Sequence, residues 1–194
     1  MAGKLDGKRI AILATDGVEE VELTRPRDAV TAEGAEVDVV SISDGELQAM
    51  NHDIEPASKI RIDRTAAEAS SSDYDALIMP GGTVNADKLR VDPDVRRFVQ
   101  GIFRDGKPVG VICHGPWTLI DAGLVEGRTL TSYPSIRTDL RNAGATVVDE
   151  EVVTDKGLVS SRNPGDLDAF CAKIVEEFAE GRHPVHGQGA TASA

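Results

Sequence analysis

The stretch Val109-Gly110-Val111-Ile112-Cys113-His114-Gly115-Pro116 carries a short apolar strand directly into a helix that is predicted to run to Ala122, with Gly123 as its stop. A cysteine therefore stands at a sharp strand-to-helix turn. Upstream, Val95, Phe98, Val99, Ile102 and Phe103 follow helical spacing, with Asp92 as N-cap and Gly106 past the end. Before them, Ala76 to Met79 reads as a buried strand halted by Pro80-Gly81-Gly82. Arg9 to Ala14 reads as a first strand ended by Asp16-Gly17, followed by a helix from about Glu19 to Ala32 and a strand Val37 to Ser41. The stretch from Asp44 to Ile62 carries turn signals and short extended pieces, which suggests a small separate sheet. Downstream, a helix is expected over Ile136 to Asn142, ended by Gly144. Val152 to Thr154 and Leu158 to Ser160 flank Asp155-Lys156-Gly157 as a hairpin, and a last helix covers about Asp166 to Glu180.

Strands alternating with helices imply an α/β fold with a largely parallel sheet covered on both faces. In that architecture sites form at the carboxyl ends of strands. There the sequence places Glu19 and Glu22, Gly81 and Gly82, and Cys113.

The chain has 194 residues, enough for one domain with a substantial core. Its net charge of −12 argues against a nucleic-acid surface, which needs clustered Lys and Arg. No apolar run suits a membrane span, and Met1 to Arg9 has no apolar signal core. The two cysteines, Cys113 and Cys171, are too few for a disulfide scaffold and fit a reducing compartment. The expected location is the cytoplasm. The domain is expected to span residues 1–181, with 182–194 as a flexible tail.

Cys113 is the main candidate for chemistry. A thiol in the first turn of a helix meets unpaired N–H groups and the positive end of the macrodipole, which favours thiolate. Gly115 permits the tight turn. A lone cysteine is more often inert and buried, and Cys171, on the apolar face of the last helix, reads that way. His114 adjoins Cys113, but neighbours on a helix do not face each other, so contact requires the elbow geometry. The pair His183 and His186 is set aside as a metal site because a flexible tail supplies no further ligands. Glu19, Glu20 and Glu22 suit a helix N-terminus electrostatically. If Glu22 packs on Cys113, burial and like charge would raise its pKa and let it donate a hydrogen bond to sulfur. The amides of Gly81 and Gly82, with that of His114, are candidates to hold an oxyanion. Trp117 is expected at the pocket mouth.

These residues resemble the PfpI family of intracellular proteases and stress proteins, part of a superfamily shared with the parkinsonism-associated deglycase and related to class I glutamine amidotransferases. The likeness is carried by Gly17-Val18-Glu19-Glu20-Val21-Glu22-Leu23, Ala76 to Gly82, and Gly106 to Val109 leading into Ile112 to Pro116. Thr131 to Pro134, Asn142 to Gly144 and Val159 to Arg162 extend it. The resemblance implies a flavodoxin-like three-layer sandwich. It also implies Cys113 as nucleophile, Glu22 as its protonated carboxyl partner and Glu19 in the same pocket. His114 would be the family histidine, and Gly82 and His114 would form the oxyanion site. An acidic residue shortly after Pro-Gly-Gly reaches the neighbouring subunit's histidine in oligomeric members; Asp87 matches it if the loop carries one extra residue. Bulky Val111, and the lack of any histidine between His114 and His183, disfavour glutamine hydrolysis.

The expected function is a stress-related cysteine hydrolase acting on small dicarbonyls or glycated groups, or as an intracellular peptidase. The alternative is an oxidative-stress protein with a redox-sensing cysteine or chaperone role and little turnover. A homo-oligomer, dimer or larger, is expected, without cofactor, metal, nucleic acid or membrane.

Overall fold

The computed structural model describes residues 3–183. Its elements in chain order are β1 (Arg9–Leu13), α1 (Glu20–Ala32), β2 (Glu36–Ser41), β3 (Glu46–Asn51), β4 (Glu55–Arg61), β5 (Arg64–Thr65) and β6 (Ala76–Met79). Then follow α2 (Thr83–Val91), α3 (Pro93–Arg104), β7 (Val109–Ile112), α4 (Pro116–Asp121), β8 (Thr129–Leu130) and α5 (Arg137–Asn142). The chain continues through β9 (Thr146–Val147), β10 (Val153–Asp155), β11 (Leu158–Ser161) and α6 (Leu167–Glu180). A seven-stranded sheet has the order β10-β11-β7-β6-β1-β2-β5, and only β10 runs antiparallel. Strands β3 and β4 form a separate antiparallel pair, as the turn-rich stretch suggested.

The three layers follow from the period-two alternation of the strands. In β1, Ile10 and Ile12 join Leu23, Val30, Phe170, Ile174 and Phe178 in one apolar cluster, under α1 and α6. Ala11 and Leu13 face the other way and pack with Leu89, Val95, Phe98, Ile102, Leu119 and Leu140 from α2 to α5. Both faces of the sheet are buried, which is why β6 and β7 read as unbroken apolar runs. Asp92 caps α3 as expected, accepting from the amides of Asp94 and Val95. The helix expected from Ile136 begins one residue later, because Pro134–Ile136 forms a 3₁₀ turn. No described helix is long and apolar enough to cross a membrane.

Helix α2 has no local signature in the residue order. This helix starts directly after Gly82, and its first amide is capped from elsewhere: Thr83 donates its N–H and its hydroxyl to the Asp53 carboxylate, at 2.7 and 2.8 Å. A cap supplied by another hairpin leaves no local signature. The flexible tail was expected over 182–194, of which 184–194 lie outside the described residues.

Candidate active site

The central strands β1, β6 and β7 end side by side, and their carboxyl ends deliver the chemistry-bearing residues to one place. Cys113 follows β7 with φ of +63°, in the left-handed region that a non-glycine residue occupies only when its surroundings enforce it. Here the Cys113 amide donates to Ser161 O at 3.1 Å and its carbonyl accepts from Tyr133 N–H at 3.0 Å. Gly115 allows the chain to pass: a Cβ there would lie 2.7 Å from Met79 O and 2.8 Å from Val111 Cγ2. Helix α4 begins only at Pro116. Cys113 thus sits on an elbow before the helix, not in its first turn as expected, and its charge environment comes from individual donors.

Those donors are three. The amides of Gly82 and His114 act on the Cys113 sulfur, lowering its pKa against the larger rise from burial. His114 Nδ1 lies 3.2 Å from Sγ, so the elbow produces the contact that ordinary helix geometry forbids. The other ring nitrogen, Nε2, is 3.0 Å from Ser135 Oγ. With Ser135 donating to Nε2, Nδ1 carries the proton and points it at sulfur. Burial holds the His114 pKa below its usual value, so the ring is neutral at neutral pH, although Asp53 pulls the other way. Tyr133 stacks on the ring at 4.7 Å.

Glu22 is fully buried in the first turns of α1. Its Oε2 accepts from Gly81 N–H at 2.8 Å, while Oε1 has no hydrogen-bond partner. Burial pushes its pKa up to about 8, with the Gly81 bond opposing and the Glu19 charge adding. Burial also pushes the Cys113 thiol up, and a Glu22 carboxylate adds to this, while the Gly82 and His114 amides pull it down. Two negative charges this close cannot coexist near neutral pH, so the pair holds one proton. The sequence offered Gly81 as an oxyanion donor. Its amide is instead committed to Glu22, which leaves Gly82 and His114. Gly81 must still be glycine, since a Cβ would lie 2.6 Å from both Cys113 Cβ and Glu22 Oε2.

Glu19 does not touch sulfur in this arrangement; its carboxylate accepts the amides of His52 and Asp53 at 3.1 and 3.2 Å and so pins the β3–β4 turn beside the site. Asn85, unnoticed in the sequence, is wholly buried. It accepts from Thr15 N–H and donates to Pro80 O and Gly81 O, tying the ends of β1 and β6 together. The resulting cavity of about 260 Å³ is lined by Glu19, Glu22, His52, Asp53, Gly82, Cys113, Tyr133 and Pro164. Trp117 is not among these residues; its indole N–H donates to Asp139 and Arg90 lies over its ring. Asp87 is exposed on α2 and does not line the cavity of its own chain. Cys171 is buried in the α6 core as predicted, with its pKa pushed up to about 11 by burial.

A flavodoxin-like α/β sandwich with a cysteine held on a strand-to-helix elbow beside a buried carboxyl is thus the class that fold and site define. The chain matches the model of the DJ-1/PfpI family over residues 8–177 and belongs to that family. It is 41% identical over 163 residues to a putative cysteine protease, YraA, of Bacillus subtilis, covering 84% of this chain and 94% of that one. It is 39% identical over 168 residues to the deglycase TK1284 of Thermococcus kodakarensis, covering 87% and 98%. Among solved structures it superposes on a two-domain protein of Anabaena variabilis with DJ-1/ThiJ/PfpI-like and ferritin-like domains, at TM-score 0.83 and 34% identity. That match covers 94% of this chain and 52% of the other, so this chain spans about half of the two-domain protein.

Proposed function

We propose that the protein is a cysteine-dependent hydrolase of small dicarbonyls or glycated groups, with Cys113 as nucleophile. The observation that carries this reading is the asymmetry of donors around a shared proton. The Gly82 and His114 amides and the His114 ring favour charge on sulfur against the rise that burial imposes on the thiol, while one N–H serves the Glu22 carboxyl, so this reading puts the thiolate on Cys113 and the proton on Glu22 Oε1. Oε1, otherwise without a partner, then donates to the thiolate.

With methylglyoxal, the thiolate attacks the aldehyde carbon and its oxygen becomes the alkoxide of a hemithioacetal. The Gly82 and His114 amides stabilise that alkoxide, which takes up a proton. Moving a proton from the former aldehyde carbon to the neighbouring carbonyl carbon through an enediol gives a thioester. Water then hydrolyses the thioester to lactate and frees the thiolate, with no external oxidant or reductant. Neutral His114 is placed to accept and return protons. A cavity of about 260 Å³ suits a three-carbon dicarbonyl or the end of a glycated side chain. It lies below the roughly 300–1,000 Å³ of sites that take drug-sized ligands, which ranks peptidase action second. The deglycase relative supports the same order, while the cysteine-protease relative keeps the peptidase alternative. Asp87 enters only if an oligomer places it against the His114 of a neighbouring copy.

Purified protein should convert methylglyoxal to lactate with no added cofactor and leave unstructured peptides intact. Peptide cleavage without dicarbonyl turnover would reverse the ranking. If neither occurs while Cys113 oxidises selectively at low peroxide, the redox-sensor reading replaces both.

A further inference from the structure

At the opposite side of the molecule from Cys113's elbow, helix α6 ends in a second cluster. Glu177 and Glu180 lie one turn apart and share a face. Gly181, with φ of +86°, reverses the chain and returns His183 to that face. A carboxylate oxygen of each glutamate and a ring nitrogen of His183 all lie within 4.8 Å of one another. We propose that Glu177, Glu180 and His183 bind a divalent transition-metal ion of the zinc type.

Histidine is held in place independently of any ion. Its amide donates to Gly106 O at 2.7 Å, and its ring packs so closely on Gly157 that a Cβ there would lie 2.6 Å from Cδ2. Glu177 is buried, at 6% exposure, and its Oε1 faces the His183 ring. His183 Nε2 is buried too and makes no hydrogen bond, although it lies 2.9 Å from Glu177 Oε1. Two such atoms, close but misaligned for N–H donation, are what lone pairs converging on a common point produce. Around a tetrahedral ion with bonds near 2.0–2.2 Å, ligand atoms stand roughly 3.4 Å apart, so small side-chain shifts complete the set. An imidazole with two carboxylates selects zinc or nickel over magnesium or calcium. The bound ion would fasten the end of α6 to the loops at Gly106 and Gly157.

The sequence set His183 aside because a tail seemed to offer no further ligands; the ligands are on the preceding helix. Titration calorimetry with Zn²⁺ alone, on tag-free full-length chain carrying Cys113→Ser to remove the competing thiol, should show one ion per chain. His183→Ala and Glu177→Gln should weaken binding about tenfold or more. Glu180→Gln, at an exposed position that does not threaten folding, should do the same and should abolish any Zn²⁺-dependent rise in Tm. Binding that survives His183→Ala, or that Glu180→Gln leaves unchanged, would overturn the site, as would absence of saturable binding.

Discussion

Replacing Cys113 by alanine is expected to lower kcat/KM for methylglyoxal by about a thousandfold or more, because the covalent step loses its nucleophile. The fold should survive, since Cys113 is held by backbone bonds to Ser161 and Tyr133 rather than by its side chain. Alanine keeps the Cβ that φ of +63° strains, as cysteine does, and circular dichroism and the urea midpoint recorded alongside check that the fold is unchanged. Lactate production that persists at near wild-type rate in a folded Cys113→Ala variant would remove the cysteine from the chemistry. Cys171→Ala is the matching control: its thiol is buried in the α6 core, and activity should be unchanged.

Glu22→Gln is expected to lower kcat/KM about a hundredfold and to remove the alkaline limb of the rate profile. The sign follows from the pKa, raised from 4.5 to about 8 in the folded chain. Between those values the folded pair holds one proton, on Glu22, and the unfolded chain holds one on the Cys113 thiol, so the pair adds no slope to wild-type stability there. The wild-type rate should also decline as pH passes about 8, where Glu22 ionises and no longer donates to sulfur. That alkaline limb should vanish in Glu22→Gln. kcat/KM of wild type and variant, taken across pH 5 to 9, checks this. An alkaline limb that persists in the variant would mean that a group other than Glu22 sets it.

Much of this was readable from residue order. Apolar runs ending in Pro80-Gly81-Gly82 and in Cys113 declare buried parallel strands, and helical spacing in α3 and α6 declares their cover. What escaped was non-local. The cap of α2 is Asp53, thirty positions away, and the clamp on the loop is Asn85, whose partners include Thr15. Glu19 was legible as a pocket residue but not as the anchor of the β3–β4 turn, because its partners are amides of a different sheet. The helix-dipole argument for Cys113 failed on geometry: the elbow inserts His114 and Gly115 before α4 begins. Groups acting on sulfur take the place of that dipole, among them the Gly82 and His114 amides, which the residue order suggested only as an oxyanion site.

The central claim is that sulfur, and not Glu22, carries the negative charge of the pair. Alkylation of Cys113 by iodoacetamide across pH 5 to 10, followed by peptide mapping, tests it most directly. The account predicts rapid labelling of Cys113 already near pH 6.5, with Cys171 spared. Labelling of Cys113 that appears only as pH rises past the ordinary thiol value of about 8.5 would place the proton on sulfur and contradict it.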